Sequence, residues 1–377
     1  MYLNTPIVAE NEEEIELFEN YIAKAGPMLD GVSDKQHFSV VVPQKAVRCP
    51  VLYYACLACS ARTLCRDVEE VYSVKCYRLL IKLLENPECV ADEVLLATTV
   101  ILRMKEQFLD LWEDSQHHLK GCFSIIVPEK QFRFSPDIGL GEASFWTYVR
   151  EDLRMAVLHR RKCIFTKDSP ITFSPGSECM WTNIITYITV KMVNWAFGEK
   201  DYEEGKRLND FLDEWFRRKP NTFDPIGSSL KSHPIPRVTF VCSWHNYAYQ
   251  YYYFGKLLYA SVINTLADCD PLLSNTVLET DILQPSRILL GIVAYTKSHA
   301  CQINGSHLAA YGGQYLVKEE ERELLINFLT DLNKETGWPC QATCESLHTT
   351  WQNQNHLFRN NLSPQPLQTK PNSPSTY

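Results

Sequence analysis

Five cysteines in the first quarter of the chain, Cys56, Cys59, Cys65, Cys76 and Cys89, are the first residues whose type and spacing could do chemistry. Cys56 and Cys59 form a Cys-x2-Cys pair, which is half of many zinc sites. A six-cysteine binuclear zinc cluster that reads DNA needs two such pairs, each followed by another cysteine after six or more intervening residues. Cys65 falls one residue short, Cys76 has no partner at the right spacing and Cys89 stands alone. Arg62 is the one basic residue between Cys56 and Cys65, where a phosphate-binding helix would carry several. The expectation is therefore packing: Cys56 and Cys59 share a buried helix face with Leu52 and Tyr53.

A second cysteine-rich spot, Cys340 and Cys344 with His348, has i, i+4, i+8 spacing and could line one helix face. No fourth ligand is evident nearby, and structural zinc sites usually have four. Among the histidines, His117, His118 and His245 are acid–base candidates. His117 and His118 point to different sides of a helix, so they cannot jointly hold one metal; His118 is expected to pack or cap near Trp112 and Leu119. No Gly-x-Ser-x-Gly, no glycine-rich phosphate loop and no His-Glu-x-x-His occurs. No catalytic, cofactor-binding, DNA-binding or metal residue is therefore assigned, and no cofactor is expected.

Two basic runs, Arg160-Arg161-Lys162 and Arg217-Arg218-Lys219, fall at expected helix C-termini, where the helix dipole favours cations. A nuclear import signal or a phosphate contact is the alternative. The run Tyr247, Tyr249, Tyr251, Tyr252, Tyr253, Phe254 either fills a core with its hydroxyls partnered at the edge, or lines a pocket for a planar ligand.

These residues are set in 377 positions with 45% hydrophobic and 22% charged side chains, ordinary values for a chain that buries a core. The 37 basic and 45 acidic side chains give a formal net charge of −8, the wrong sign for a free-standing nucleic-acid binder. The N-terminus lacks the basic and apolar regions of a secretory signal, so a reducing compartment and free thiols are expected for the 14 cysteines. The longest uncharged stretches, 238–255 and 298–317, are too polar for a bilayer core.

Helical periodicity dominates. Val94, Leu95, Thr98, Ile101 and Leu102 form one stripe, Tyr72, Leu79, Leu80, Leu83 and Leu84 another, and Leu324, Leu325, Phe328, Leu329 and Leu332 a third. The third helix should end at Gly337, a left-handed cap, with Pro339 preventing continuation. Further helices are predicted at about 12–25, 50–66, 115–126, 142–161, 178–197, 202–216, 238–266 and 287–300. Strand signals are weak, so the fold class is all-α: a compact multi-helix array across 1–358, with a Pro-, Ser-, Thr- and Asn-rich disordered tail at 359–377.

Several segments, in order, resemble the regulatory domain of fungal-specific transcription factors (the second of the two families of that name). They are Leu17-Phe18-Glu19-Asn20-Tyr21-Ile22, Pro27-Met28-Leu29-Asp30 with His37-Phe38, Val42-Pro43, and Cys49-Pro50-Val51-Leu52-Tyr53-Tyr54-Ala55 with Ser60-Ala61-Arg62. Leu95 to Arg103, His118-Leu119-Lys120-Gly121, Ala143 to Asp152, Trp181-Thr182-Asn183, Tyr249-Gln250-Tyr251-Tyr252 and Thr336-Gly337-Trp338-Pro339 continue the set. The resemblance spans about residues 12 to 353.

The resemblance implies an α-helical control domain with no catalytic residues to carry over, found downstream of a zinc cluster in activators of secondary-metabolite gene clusters. This chain begins where that domain would, which removes autonomous DNA binding from the expectation. The implied protein is a nuclear transcriptional regulator, not an enzyme and not membrane-bound, that acts through protein partners, as a dimer or beside a DNA-binding partner. The rival readings are a biosynthetic enzyme with a dispersed His/Tyr site and an extended helical scaffold unrelated to transcription.

Overall fold

The first helix, α1 (Glu12–Asn20), starts where Asn11 is extended and its side chain accepts from the Glu14 N–H. Three glutamates in the first turn suit the positive helix end. A π-helical turn at Tyr21–Ala25 carries the chain into α2 (Gly26–Leu29). The expected helix at 12–25 is thus an α-helix that widens over its last five residues. A second π turn, His37–Val41, leads into α3 (Val42–Ala46). Asp30 ties this entry together, accepting from the Phe38 N–H at 2.8 Å, the Ser39 N–H at 2.7 Å and the Ser39 hydroxyl at 2.6 Å.

Helix α4 (Pro50–Thr63) opens on Pro50, whose missing N–H is harmless at a first turn. It is buried almost all round, as its apolar composition demands. Helices α5 (Glu69–Leu84) and α6 (Glu93–Gln107) pack against it, and α7 (His117–Ile126) packs against α6. The long α8 (Gly139–Leu158) touches α6 and α7 on one side, and on the other α9 (Glu178–Ala196) and α13 (His299–Gly313).

The second half is arranged around α11 (Ser243–Ala267), which packs against α9, α10 (Tyr202–Arg218), α12 (Glu279–Ala294) and α13. Helices α14 (Glu319–Thr336) and α15 (Gln341–Leu362) close the array over α13. One continuous hydrophobic core links Leu17 to Trp351. The computed structural model describes residues 2–85, 93–109, 115–126, 139–165, 171–173, 176–229, 235–267 and 279–362. The all-α class holds, and no described helix is long and apolar enough to cross a membrane.

The largest departures from the boundaries expected of the sequence are at α11, at α12 with α13, and at α15. The helix expected at 238–266 begins at Ser243, because Arg237–Thr239 (β2) pairs antiparallel with Gly227–Ser229 (β1) as a three-residue ribbon. The helix expected at 287–300 is two helices: α12 ends at Ala294, and the Ser298 side chain caps α13 by accepting from the Cys301 N–H. Helix α15 runs to Leu362, past the expected start of the tail at 359, while 363–377 lie outside the described residues. The predicted stop of α14 is met: Gly337 sits at φ 74° and its N–H reaches the Asn333 carbonyl at 2.8 Å.

Candidate functional site

The cysteine pair of α4 is core. Leu52, Tyr53, Cys56 and Cys59 are all buried, and burial pushes the Cys59 and Cys76 thiols up to about 12. Cys76 donates to the Val51 carbonyl at 3.3 Å, binding α5 to α4. Cys65 is exposed, at φ 52°, and Cys89 lies outside the described residues. At the other spot, Cys340 is buried just before α15, Cys344 is half-buried, and the His348 ring meets Trp351 edge-on at 5.8 Å.

The aromatic run is also core. Tyr247, Tyr249, Tyr251, Tyr252 and Phe254 are buried on several sides of α11. Their hydroxyls end on defined acceptors: Tyr247 on the Ala300 carbonyl at 2.9 Å, Tyr251 on Asn304 at 2.8 Å, Tyr249 on Asp224 at 3.3 Å and Tyr252 on Asp213 at 3.4 Å. Of the two readings left open by the sequence, core with partnered hydroxyls is the one found.

Two histidines meet carboxylates. His118 Nδ1 lies 2.7 Å from Glu106 Oε1, and its ring stacks on Tyr77 at 5.5 Å. Trp112, its expected neighbour, lies outside the described residues. Glu106 also accepts from Arg103 at 2.9 Å. Burial opposes its charge, but the His118 and Arg103 bonds prevail and hold its carboxyl down to about 2. His117, by contrast, faces outward to Ser115 at 3.0 Å.

The second pair is more open. His245 Nε2 lies 2.8 Å from Glu178 Oε2, the first residue of α9, which also accepts from Trp244 Nε1 at 2.8 Å. The Thr222 hydroxyl donates to the other carboxylate oxygen. The His245 ring is buried against Phe223, with centroids 4.3 Å apart, and its Nδ1 has no hydrogen-bond partner among the described residues. Cys242 completes a cluster in which one donor atom each from Glu178, Cys242 and His245 lies within 4.8 Å of the others. Glu178 and Cys242 are half-buried, so the cluster faces outward.

Burial opposes the Glu178 charge, yet the bonds from Thr222, Trp244 and His245 together keep its carboxyl below the usual range. Burial and the Glu178 charge raise the Cys242 thiol. The sequence singles out His245, and counts Cys242 only among the expected free thiols. It does not point to Glu178, because a partner 67 residues away leaves no mark in local spacing.

The basic runs are tied down locally. Arg160 donates to Gln314 at 3.0 Å and Arg161 to the Lys162 carbonyl at 2.8 Å, just beyond the end of α8. Arg217 and Arg218 pair with Glu214, and Lys219 with Asp224. Of the described concavities, one is a small cavity of about 30 Å³ beside Arg154, Ser306, His307, Trp338 and Cys340. Another is a surface cleft of about 380 Å³ between Lys162, Tyr187, Lys191, Trp195, Lys200 and Arg207. His118, His245 and the tyrosine run line neither. Comparison with protein-family models, curated proteins and solved structures finds no match to any of them.

Proposed function

We propose that this chain is the regulatory domain of a fungal transcriptional regulator, pathway-specific for a secondary-metabolite gene cluster and working in the nucleus through protein contacts. DNA binding comes from a partner or from a dimer that includes one. The observation that carries the reading is that segments bearing the family resemblance grip each other across the fold. Arg103 at the end of one such segment donates to Glu151 in another at 2.6 Å, and Arg150 beside it donates to Asn183 in a third at 3.1 Å. Asp30 in the same way holds Phe38 and Ser39.

The electrostatics agree. A net charge of −8 repels nucleic acid at long range, and the two arginine-rich runs already have partners. Deletion of the gene followed by genome-wide transcript measurement tests the reading. A coherent set of silenced neighbouring genes is expected; unchanged transcripts with one missing metabolite would replace it with the enzyme reading. A mobility-shift assay on the purified chain at physiological salt should show no selective DNA binding.

A further inference from the structure

We infer that Glu178, Cys242 and His245 form a binding site for one borderline-soft divalent cation of the zinc type. The donor set is a thiolate, an imidazole and a carboxylate, the mixture that suits zinc and cobalt and that calcium and magnesium, which prefer all-oxygen shells, do not favour. Thiolate and carboxylate together carry two negative charges, which balance the cation without help from solvent. The donor atoms already lie within 4.8 Å of one another.

The scaffold is built for position. Cys242 and His245 come from the chain entering α11, one turn apart, and Glu178 from the first turn of α9, against which α11 packs. Trp244 Nε1 donates to Oε2, the oxygen that also meets His245, and the Thr222 hydroxyl donates to Oε1, so these contacts orient both oxygens of the carboxylate, as outer contacts do around ligating carboxylates. His245 is locked by burial against Phe223. His245 meets Glu178 through Nε2, while its buried Nδ1 has no hydrogen-bond partner among the described residues.

Three protein ligands leave a fourth position for water or an incoming ligand, and the half-buried Glu178 and Cys242 place that position toward solvent. Coordination forms one sulfur–, one nitrogen– and one oxygen–metal bond in place of three waters of the hydrated cation, and no oxidation state changes. The Cys242 thiol proton goes to solvent, and the His245–Glu178 hydrogen bond is broken, with the ring staying neutral and protonated on its other nitrogen. The site joins α9 to α11, so loading it would stiffen the packing of the second half of the molecule.

The test is a titration of the full chain, freed of metal by a chelator, first with Co²⁺ and then with Zn²⁺ as competitor. One equivalent of cobalt should give a thiolate-to-metal charge-transfer band and the visible bands of a tetrahedral centre, both removed by zinc. Cys242→Ser should abolish the charge-transfer band, and Glu178→Gln should weaken binding about tenfold or more, by analogy with the loss of one metal-site contact. Cys344→Ser, made at the other half-buried cysteine spot, should change neither. Circular dichroism confirms that each variant is folded; if Cys242→Ser is not, Glu178→Gln decides. A band that persists in Cys242→Ser, unchanged affinity in Glu178→Gln, or binding well below one equivalent overturns the assignment.

Discussion

Arg103 and Glu151 face each other across the α6–α8 contact with both side chains sealed from solvent, and both Nε and Nη2 of the guanidinium donate to the same carboxylate oxygen. Arg154 donates to both oxygens of that carboxylate at 2.9 Å, and Glu106 takes a further Arg103 N–H. Burying such charges is expensive, so the network is stable only while every member is present. Glu151→Ala should cost about 3–5 kcal/mol in urea denaturation, because it removes the carboxylate that Arg103 and Arg154 share. The double variant Arg103→Met/Glu151→Met should be less destabilised than the sum of its single changes. Strict additivity in that cycle would show the pair is not coupled.

His307 is the opposite case. It is buried in α13 and neither ring nitrogen has a partner among the described residues. An unpaired buried polar group carries a desolvation penalty of about 1–3 kcal/mol. His307→Leu, of similar volume, should therefore raise the urea midpoint. A lowered midpoint would mean that the ring bonds to water in the adjoining cavity.

The same residue shapes the acid response. Burial, with the nearby Arg154 charge, keeps folded His307 well below the ordinary 6.5, so the unfolded chain binds a proton that the folded chain refuses. Above pH 6.5 this adds no pH-dependent cost, and below that value stability falls by about 1.4 kcal/mol per pH unit for one such group. Glu106 acts in the lower window. Its carboxyl is held at about 2 instead of 4.5, so its contribution is whole above pH 4.5 and is lost as pH falls toward 2. Stability measured from pH 7 to 5 should slope downward with acid, and the slope in His307→Leu should be shallower by about one proton.

Gly291 should not tolerate a methyl group. A Cβ there would lie 1.8 Å from the Pro236 carbonyl oxygen, which is main chain and cannot swing away. Alanine in a helix interior would ordinarily gain about 0.5–1 kcal/mol over glycine. Overpacking against fixed backbone costs about 1–3 kcal/mol or more and decides the sign. Gly291→Ala should be destabilised in thermal unfolding; a neutral result would mean that the segment before β2 yields.

Thiol chemistry separates the cysteines by burial. Cys65 is exposed, while Cys56, Cys59 and Cys122 are buried with thiols pushed up by desolvation. Among the described cysteines, Ellman's reagent should label Cys65 first and Cys56, Cys59 and Cys122 only on unfolding. Labelling of any of those three in the folded chain, mapped by peptide mass spectrometry, would contradict this ordering.

Much of the array was legible because its signals are local. The stripe from Leu324 to Leu332 and the stop at Gly337 needed nothing outside the segment. The start of α11 was misplaced because Val238, Thr239 and Phe240 are as apolar as the helix they precede, and the ribbon that claims the first two depends on pairing with a distant segment. The break between α12 and α13 did have a signal, Ser298 as a cap, but apolar residues on both sides of it masked the interruption. The Glu178–His245 contact had none, since it exists only once α9 lies against α11.

The four tyrosines that leave α11 toward Ala300, Asn304, Asp224 and Asp213 bolt that helix from different directions at once. A rod fastened on one side could roll or slip lengthwise; one fastened all round has a single rotational setting. Adding or deleting a residue between Tyr247 and Tyr252 would turn everything beyond it by about 100°, unseating several bolts in one stroke. Length changes in this helix should therefore be far less forgiving than substitutions, whatever residue is inserted.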